Sequence, residues 1–99
     1  MTITKNKNGS ALTLNVEGRL ETTTAPELDA VVKNELDGVT ALTLDFSKLD
    51  YISSAGLRVL LSAQKLMNKQ GGTMTVTGAN EIVTEIFEIT GFIDILTLA

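Results

Sequence analysis

Near the middle of the chain the spacing of the apolar residues changes from that of a strand to that of a helix. Residues 41–46 alternate apolar and polar side chains, the pattern of a strand with one buried face. After a short link at 47–50, two adjacent serines, Ser53 and Ser54, precede a run whose apolar residues recur at helical spacing as far as about Gln70, before a Gly-Gly pair. A strand followed by a helix in this way constrains the chain to an α/β fold, with the two serines at the helix N-terminus.

Strand and helix patterns alternate through the rest of the chain as well. An N-terminal hairpin turns at Asn8-Gly9, its second strand ends at Gly18, and a last strand lies within 92–98. The predicted order is strand, strand, helix, strand, helix, strand, helix, strand. We expect one α/β domain over residues 1–99, with a mixed sheet of about five strands, parallel after the hairpin, and helices mainly on one face.

The first and third helices begin with capping signals. Thr24 is followed by a proline and by Glu27, which predicts a threonine cap and a capping box. Asn80 is the predicted cap of the third helix. In that helix we expect the apolar side chains to face the core and the carboxylates to face solvent; the inward set is Ile82, Val83, Ile86, Phe87 and Ile89, and the outward set is Glu81, Glu85 and Glu88.

The composition excludes most familiar catalytic sites. The chain has no cysteine and no histidine, which removes thiol nucleophiles, imidazole bases, disulfides and the usual zinc ligands. We therefore expect no enzymatic activity, no bound metal and no cofactor. The formal net charge is -4 and the eight basic residues are scattered, so we expect no direct nucleic-acid partner. No apolar run approaches the roughly 20 residues of a membrane span and no signal peptide is visible, which favours a cytoplasmic protein.

The serine pair could simply cap the helix, or it could form part of a functional site, and both can hold at once. One hydroxyl can cap the helix while its neighbour stays exposed to a partner, and Gly56 would then leave space for the partner's backbone. A catalytic serine lacks support because neither Ser-x-x-Lys nor Gly-x-Ser-x-Gly occurs around the pair. We interpret Asp45 as solvent-facing and Asp50 as a turn residue, rather than as parts of a magnesium or phosphoaspartate site.

The stretch Tyr51-Ile52-Ser53-Ser54-Ala55-Gly56-Leu57, placed before a long amphipathic helix, resembles the signature of the anti-sigma factor antagonists of the STAS domain family. Other motifs agree in order along nearly the whole chain: Gly18-Arg19-Leu20-Glu21 with Thr24-Ala25, then Gly71-Gly72, then Phe87-x-x-x-Gly91-Phe92. The resemblance implies a STAS fold and a role in transcription regulation and signal transduction by partner switching.

The same resemblance assigns roles to the serine pair and its surroundings. It implies that Ser54 is the phosphoacceptor and that Ser53 is a flanking position. Many family members have aspartate at the position of Ser53 and at that of Glu21, so this chain departs from them there. The resemblance also implies a partner-binding surface composed of Glu21, Thr22, Ser53, Ser54, Ala55, Gly56, Leu57 and Arg58.

The implied mechanism is a phosphorylation switch. The unphosphorylated protein binds an anti-sigma factor that is also a serine kinase, which frees the sigma factor; phosphorylation releases the antagonist, and a serine phosphatase resets it. The alternative function is a structural STAS subunit of a transporter or signalling scaffold, without the switch. A small nucleotide-binding protein has the weakest support because no phosphate-binding loop is visible.

Overall fold

Six strands form the sheet and three α-helices accompany it. The computed structural model describes the whole chain, residues 1–99. The strands are β1 (Thr2–Asn8), β2 (Ala11–Leu20), β3 (Ala41–Asp45), β4 (Leu49–Ile52), β5 (Thr73–Thr77) and β6 (Thr97–Leu98). The helices are α1 (Ala25–Glu35), α2 (Ser54–Lys69) and α3 (Glu81–Thr90), with a 3-10 helix at Phe92–Asp94. Even α2, the longest helix, falls short of the length and apolarity of a membrane span, as do the other two.

The strand order confirms the predicted α/β fold with a mixed sheet and an N-terminal hairpin. β1 and β2 pair antiparallel around a loop of Gly9 and Ser10, one residue later than the predicted Asn-Gly turn. The parallel strands follow in the order β2, β3, β5, β6, while β4 pairs with the end of β2. The helices lie in the connections between these parallel strands, as crossovers require.

The apolar face of the sheet supplies much of the core. Leu14, Leu44 and Val76 from neighbouring strands are buried, whereas Thr43 and Thr75, which alternate with them, are only half-buried. The core cluster contains 24 residues, all apolar, and no polar or charged residue is buried. The fold is therefore held by hydrophobic burial on one side of the sheet, and the polar chemistry is left at the surface.

β4 is the strand that the sequence analysis does not predict. The pattern predicts a link over 47–50 and an end to the second strand at Gly18. Instead, β2 continues to Leu20, and the register between β2 and β4 shifts at Gly18, whose φ is 102°. The Gly18 amide donates a hydrogen bond to the Lys48 carbonyl at 3.0 Å. A glycine at this positive φ lets the strand bend without ending, so Asp50 lies in a strand and not in a turn.

The C-terminal part differs from the prediction in two respects. Val83 and Phe87 of α3 are buried as expected, but Ile82 and Ile89 are 56% and 77% exposed. α3 packs mainly against β4 and the 3-10 helix, so the core covers only a narrow sector of its surface. The strand predicted within 92–98 is reduced to the two residues of β6, because the 3-10 helix takes up the preceding residues.

Asn80 caps α3 as predicted, whereas the capping box of α1 does not form. Asn80 Oδ1 accepts a hydrogen bond from the Val83 amide at 2.8 Å, and Asn80 Nδ2 donates one to the Leu49 carbonyl at 3.0 Å. One side chain thus starts α3 and joins it to β4. Thr24 occupies the N-cap position of α1 without a side-chain capping bond, and Glu27 makes no reciprocal bond.

Replacing Asn80 should measure this double role. We expect Asn80→Ala to destabilise the domain by about 1–2 kcal/mol, because it removes a cap and a donor to the Leu49 carbonyl. Asn80→Asp retains the capping acceptor but cannot donate, so its loss should be intermediate. Urea unfolding followed by circular dichroism measures both, with Asn34→Ala on the exposed side of α1 as control. Equal losses for the Asp and Ala variants would contradict the capping role.

Candidate functional site

The candidate site lies where β2 and β4 end side by side. In their parallel register Arg19 is paired with Tyr51 and Leu20 with Ile52. The Ser53 amide continues the pairing by donating a hydrogen bond to the Leu20 carbonyl at 2.9 Å. The turn before α1 and the start of α2 are therefore neighbours at the carboxyl ends of parallel strands, the usual place for sites in α/β folds.

The two serines occupy different positions at the start of α2. Ser53 is the N-cap residue, with an extended backbone whose carbonyl accepts a hydrogen bond from the Leu57 amide at 2.9 Å. Its hydroxyl, predicted as a possible cap, is instead buried beside the strand ends and has no hydrogen-bond partner. Ser54 is the first helical residue and is exposed. The first-turn amides of α2 consequently have no side-chain cap.

Thr24 fixes the turn between β2 and α1. Its hydroxyl donates a hydrogen bond to the Arg19 carbonyl at 2.7 Å and accepts one from the Glu21 amide at 2.9 Å. The backbone is already wound at this point, since the Ala25 amide donates to the Glu21 carbonyl at 2.7 Å and Thr24 has helical angles. A side chain caps from an extended N-cap residue, so the helical backbone of Thr24 explains why its hydroxyl closes the turn instead.

Arg19 links the turn to β4. Its Nε lies 3.3 Å from Glu21 Oε2, and its guanidinium lies 4.6 Å from the centre of the Tyr51 ring. The Thr23 hydroxyl donates a second hydrogen bond to the Glu21 carboxylate at 3.3 Å. The sequence analysis does not assign Arg19, Thr23 or Tyr51 to the site. The Arg19–Glu21 pair is close in sequence, with Arg19 on β2 and Glu21 just after its end, but only the register of β4 brings Tyr51 to it.

Gly56 and Leu57 lie behind the surface and not on it. Both are buried, and a Cβ placed on Gly56 would lie 2.7 Å from Leu20 Cγ and 2.8 Å from Ile52 Cγ1. The expectation that Gly56 leaves room for a partner's backbone is therefore corrected. Its missing side chain instead lets α2 approach the ends of β2 and β4 closely.

The other six predicted partner-binding residues reach the surface to different degrees. Thr22, Ser54 and Arg58 are exposed, and Glu21, Ser53 and Ala55 are half-buried. We call these six residues the Ser54 surface. An open groove between α1 and α2 adjoins it, lined in part by Thr22, Ala55 and Arg58. Arg58 forms no salt bridge within the chain, so its charge is available to another molecule.

Asp45, weighed as a possible metal ligand, lies at the end of β3, away from the serine pair. Asp45 accepts a hydrogen bond from the Ser47 amide at 2.9 Å, and this bond lowers the pKa of the Asp45 carboxyl. Asp45 thus organises its own turn at the end of β3. No three acidic side chains converge in a way that could hold a metal ion.

Known proteins resemble this chain in both sequence and fold. A family model described as the STAS domain matches residues 2–99. "Putative anti-sigma factor antagonist BtrV" of Bordetella bronchiseptica is 35% identical over 100 residues, which covers 100% of this chain and 86% of BtrV. A solved anti-sigma factor antagonist from Mycobacterium paratuberculosis has a TM-score of 0.86 at 22% identity, covering 98% of this chain and 83% of that one.

SpoIIAA of Bacillus, a solved anti-sigma factor antagonist, has the same fold. Its unphosphorylated form gives a TM-score of 0.79 at 12% identity, covering 99% of this chain and 87% of SpoIIAA. Its phosphorylated form gives 0.78 at 14% identity, covering 99% and 91%. The chain therefore belongs to the STAS domain family. Within that family its relatives place it with the anti-sigma factor antagonists.

Gly56→Ala should test the close packing behind Ser54. Overlap of the new Cβ with Leu20 and Ile52 costs about 1–3 kcal/mol and outweighs the helix propensity that alanine gains, so we expect a net loss of stability. Chemical unfolding measures it, and Ser62→Ala, at an exposed position of the same helix, should shift stability by less than about 0.5 kcal/mol. If the alanine variant is more stable than the wild type, Leu20 and Ile52 can make room for the new Cβ without a loss of stability, and the predicted close packing is contradicted.

Proposed function

We propose that this protein is an anti-sigma factor antagonist controlled by phosphorylation of Ser54. In its unphosphorylated form it binds an anti-sigma factor that is also a serine kinase, and the sigma factor is thereby released for transcription. The observation that carries the proposal is the position of Ser54, exposed at the first residue of α2 beside amides that no side chain caps. The kinship with anti-sigma factor antagonists supports the choice of partner.

A phosphate on Ser54 is compatible with the fold. It adds about -1.5 to -2 charges at a helix N-terminus, where the helix dipole and the free amides favour an anion. The residues behind it, Gly56 and Leu57, are buried and uncharged, so the core does not have to change. SpoIIAA has been solved in both its unphosphorylated and its phosphorylated form, and each has the fold of this chain.

The phosphate acts on the partner and not on the core. A protein docked over Ser54 and Ala55 would have to desolvate the new dianion and make room for it. Arg58 lies four residues after Ser54 on the same helix face, so the phosphate also offers it a partner within the chain. The cost of desolvating the phosphate and the loss of the Arg58 charge to the partner both weaken the complex.

The chemistry of the switch belongs to the partner enzymes. Phosphorylation forms a bond between Ser54 Oγ and the γ-phosphorus of ATP, breaks the bond to the bridging oxygen of ADP, and transfers the hydroxyl proton to a base. This chain has no histidine, and no carboxylate is hydrogen-bonded to Ser54, so we assign the base and the nucleotide site to the kinase. A serine phosphatase returns the hydroxyl by transferring the phosphoryl group to water.

Labelling with the cognate kinase should identify the acceptor. We expect ATP-dependent addition of one phosphate to Ser54, found by mass spectrometry of the intact chain and its peptides. Ser54→Ala should abolish the labelling, and Ser53→Ala should retain it, because the Ser53 hydroxyl forms no hydrogen bond that the fold would lose. Phosphate on Ser53 or Thr22 would refute the assignment. If wild-type protein from cells carries no phosphate, the structural STAS subunit becomes the better explanation.

The affinity for the anti-sigma factor should depend on charge at Ser54. Phosphorylation should weaken the complex about a hundredfold, equivalent to roughly 3 kcal/mol, and Ser54→Asp should weaken it at least about tenfold. Calorimetric titration measures the affinity, and thermal unfolding checks that the variant keeps its stability. Asn6→Asp, which adds one charge on the exposed strand β1, should bind like the wild type. Equal weakening by both aspartates would mean that only the overall charge matters.

A further inference from the structure

The net negative charge of the chain lies entirely after Lys69. Residues 1–69 contain all eight basic residues and eight of the twelve acidic ones, so this part is balanced. The four remaining carboxylates are Glu81, Glu85, Glu88 and Asp94, and no lysine or arginine accompanies them. Three of the four belong to α3. The molecule therefore has an acidic region with no counter-charge of its own in that segment.

The exposed apolar residues lie in the same region. Only three large apolar side chains of the protein are exposed: Ile82 at 56%, Ile89 at 77% and Ile95 at 44%. Ile82 and Ile89 are seven residues apart on α3, so they lie on one side of the helix, two turns apart. Single exposed isoleucines are common, but here all three lie within residues 82–95, the segment that also carries the uncompensated charge.

The α3 glutamates lie next to these isoleucines. Val83 and Phe87 point into the core. At about 100° per residue, Glu85 lies roughly 40–60° to one side of Ile82 and Ile89, and Glu81 and Glu88 lie further round on that same side. None of the three glutamates forms a salt bridge or a side-chain hydrogen bond within the chain. The Glu81 carboxylate, in the first turn of α3, favours the helix N-terminus, whereas those of Glu85 and Glu88 have no structural task in the isolated domain. We call the set Glu81, Ile82, Glu85, Glu88 and Ile89 the α3 surface.

We propose that the α3 surface is a second docking site, which binds a protein segment whose apolar side chains are flanked by lysine or arginine. The two isoleucines supply the apolar contact, and the row of glutamates supplies the complementary charge. The site is distinct from the Ser54 surface, since α3 packs against β4 and shares no residue with that surface. It therefore adds to the proposed function a second contact with a partner, at a surface that does not include Ser54.

The charges argue against the other occupants. Two copies of the chain joined symmetrically through α3 would bring the glutamates of both helices together without a basic residue between them, and like charges at an interface are repulsive. Anionic lipids and nucleic acids are repelled for the same reason. A basic, amphipathic segment is the partner that satisfies both the isoleucines and the carboxylates.

The proposal can be tested with the full chain and a synthetic probe. The probe is a helical peptide with leucines along one face and lysines on both sides of that face; a matched peptide carries glutamates in place of the lysines. We expect the lysine peptide to shift the backbone amide resonances of residues 81–95 in the ¹⁵N-labelled protein, with saturation, and to bind more weakly as salt is raised. We expect the glutamate peptide to cause no shift.

Matched variants distinguish binding at the α3 surface from attraction by the net charge of the protein. Glu81→Gln/Glu85→Gln/Glu88→Gln should weaken binding of the lysine peptide about tenfold, since each exposed pair is worth a fraction of 1 kcal/mol. Ile82→Ser/Ile89→Ser should weaken it by a similar factor. The control, Glu27→Gln/Asp37→Asn/Asp50→Asn, changes the net charge equally at exposed positions outside α3 and should alter binding less than about twofold.

Several outcomes would overturn the proposal. Equal loss in the two triple variants would mean attraction by net charge alone, and binding of the glutamate peptide would remove the charge argument. Concentration-dependent dimerisation that Ile82→Ser/Ile89→Ser abolishes would identify a second copy as the occupant, and binding to phosphatidylglycerol vesicles would identify a membrane. Ser54→Ala should bind the lysine peptide like the wild type, so failure here and failure of the phosphorylation assignment are distinguishable.

Discussion

The candidate site depends on the parallel pairing of β4 with the end of β2. This pairing sets the turn before α1 beside the first residue of α2, and the hydrogen bond from Ser53 to Leu20 extends it to the helix itself. Gly56 then allows α2 to pack directly on Leu20 and Ile52. Because backbone pairing and core packing hold Ser54 in place, its hydroxyl is not needed for the fold and remains free for chemistry.

This arrangement favours a switch that is read at the surface. A conformational switch would need a second arrangement of similar free energy, and a close-packed apolar core without buried polar residues offers little room for one. A charge added at an exposed helix N-terminus needs no such change. Its whole effect falls on whatever surface covers Ser54, where desolvation and repulsion are costly. One small domain can therefore keep a stable core while binding at its surface responds to a charge added at Ser54.

The sequence predicts the elements whose signal is local and misses those set by distant partners. The alternation in β3 and the wide apolar stripe of α2 are sufficient to place both. β4 has only four residues, and its identity as a strand depends on a neighbour more than thirty residues away, at a register shifted by Gly18. The motif around Ser54 leads to the correct family. The roles of Arg19 and Gly56 required the structure, because each depends on contacts at that same pairing. The role of Thr24 required it because its hydroxyl closes the turn before α1 instead of capping the helix.

The wrong prediction that Ile82 and Ile89 of α3 face the core has a related cause. Helical periodicity shows which residues share a side, but the width of the buried sector depends on how many elements pack on the helix. α1 and α2 pack against each other, while α3 meets mainly β4 and the 3-10 helix, so Ile82 and Ile89 stay outside the core. A phosphate at Ser54 changes the charge of one surface and leaves that of the α3 surface unchanged. If both proposed sites contact one partner, the contact at α3 would persist when phosphorylation breaks the contact at Ser54, and the partner would stay close to the domain.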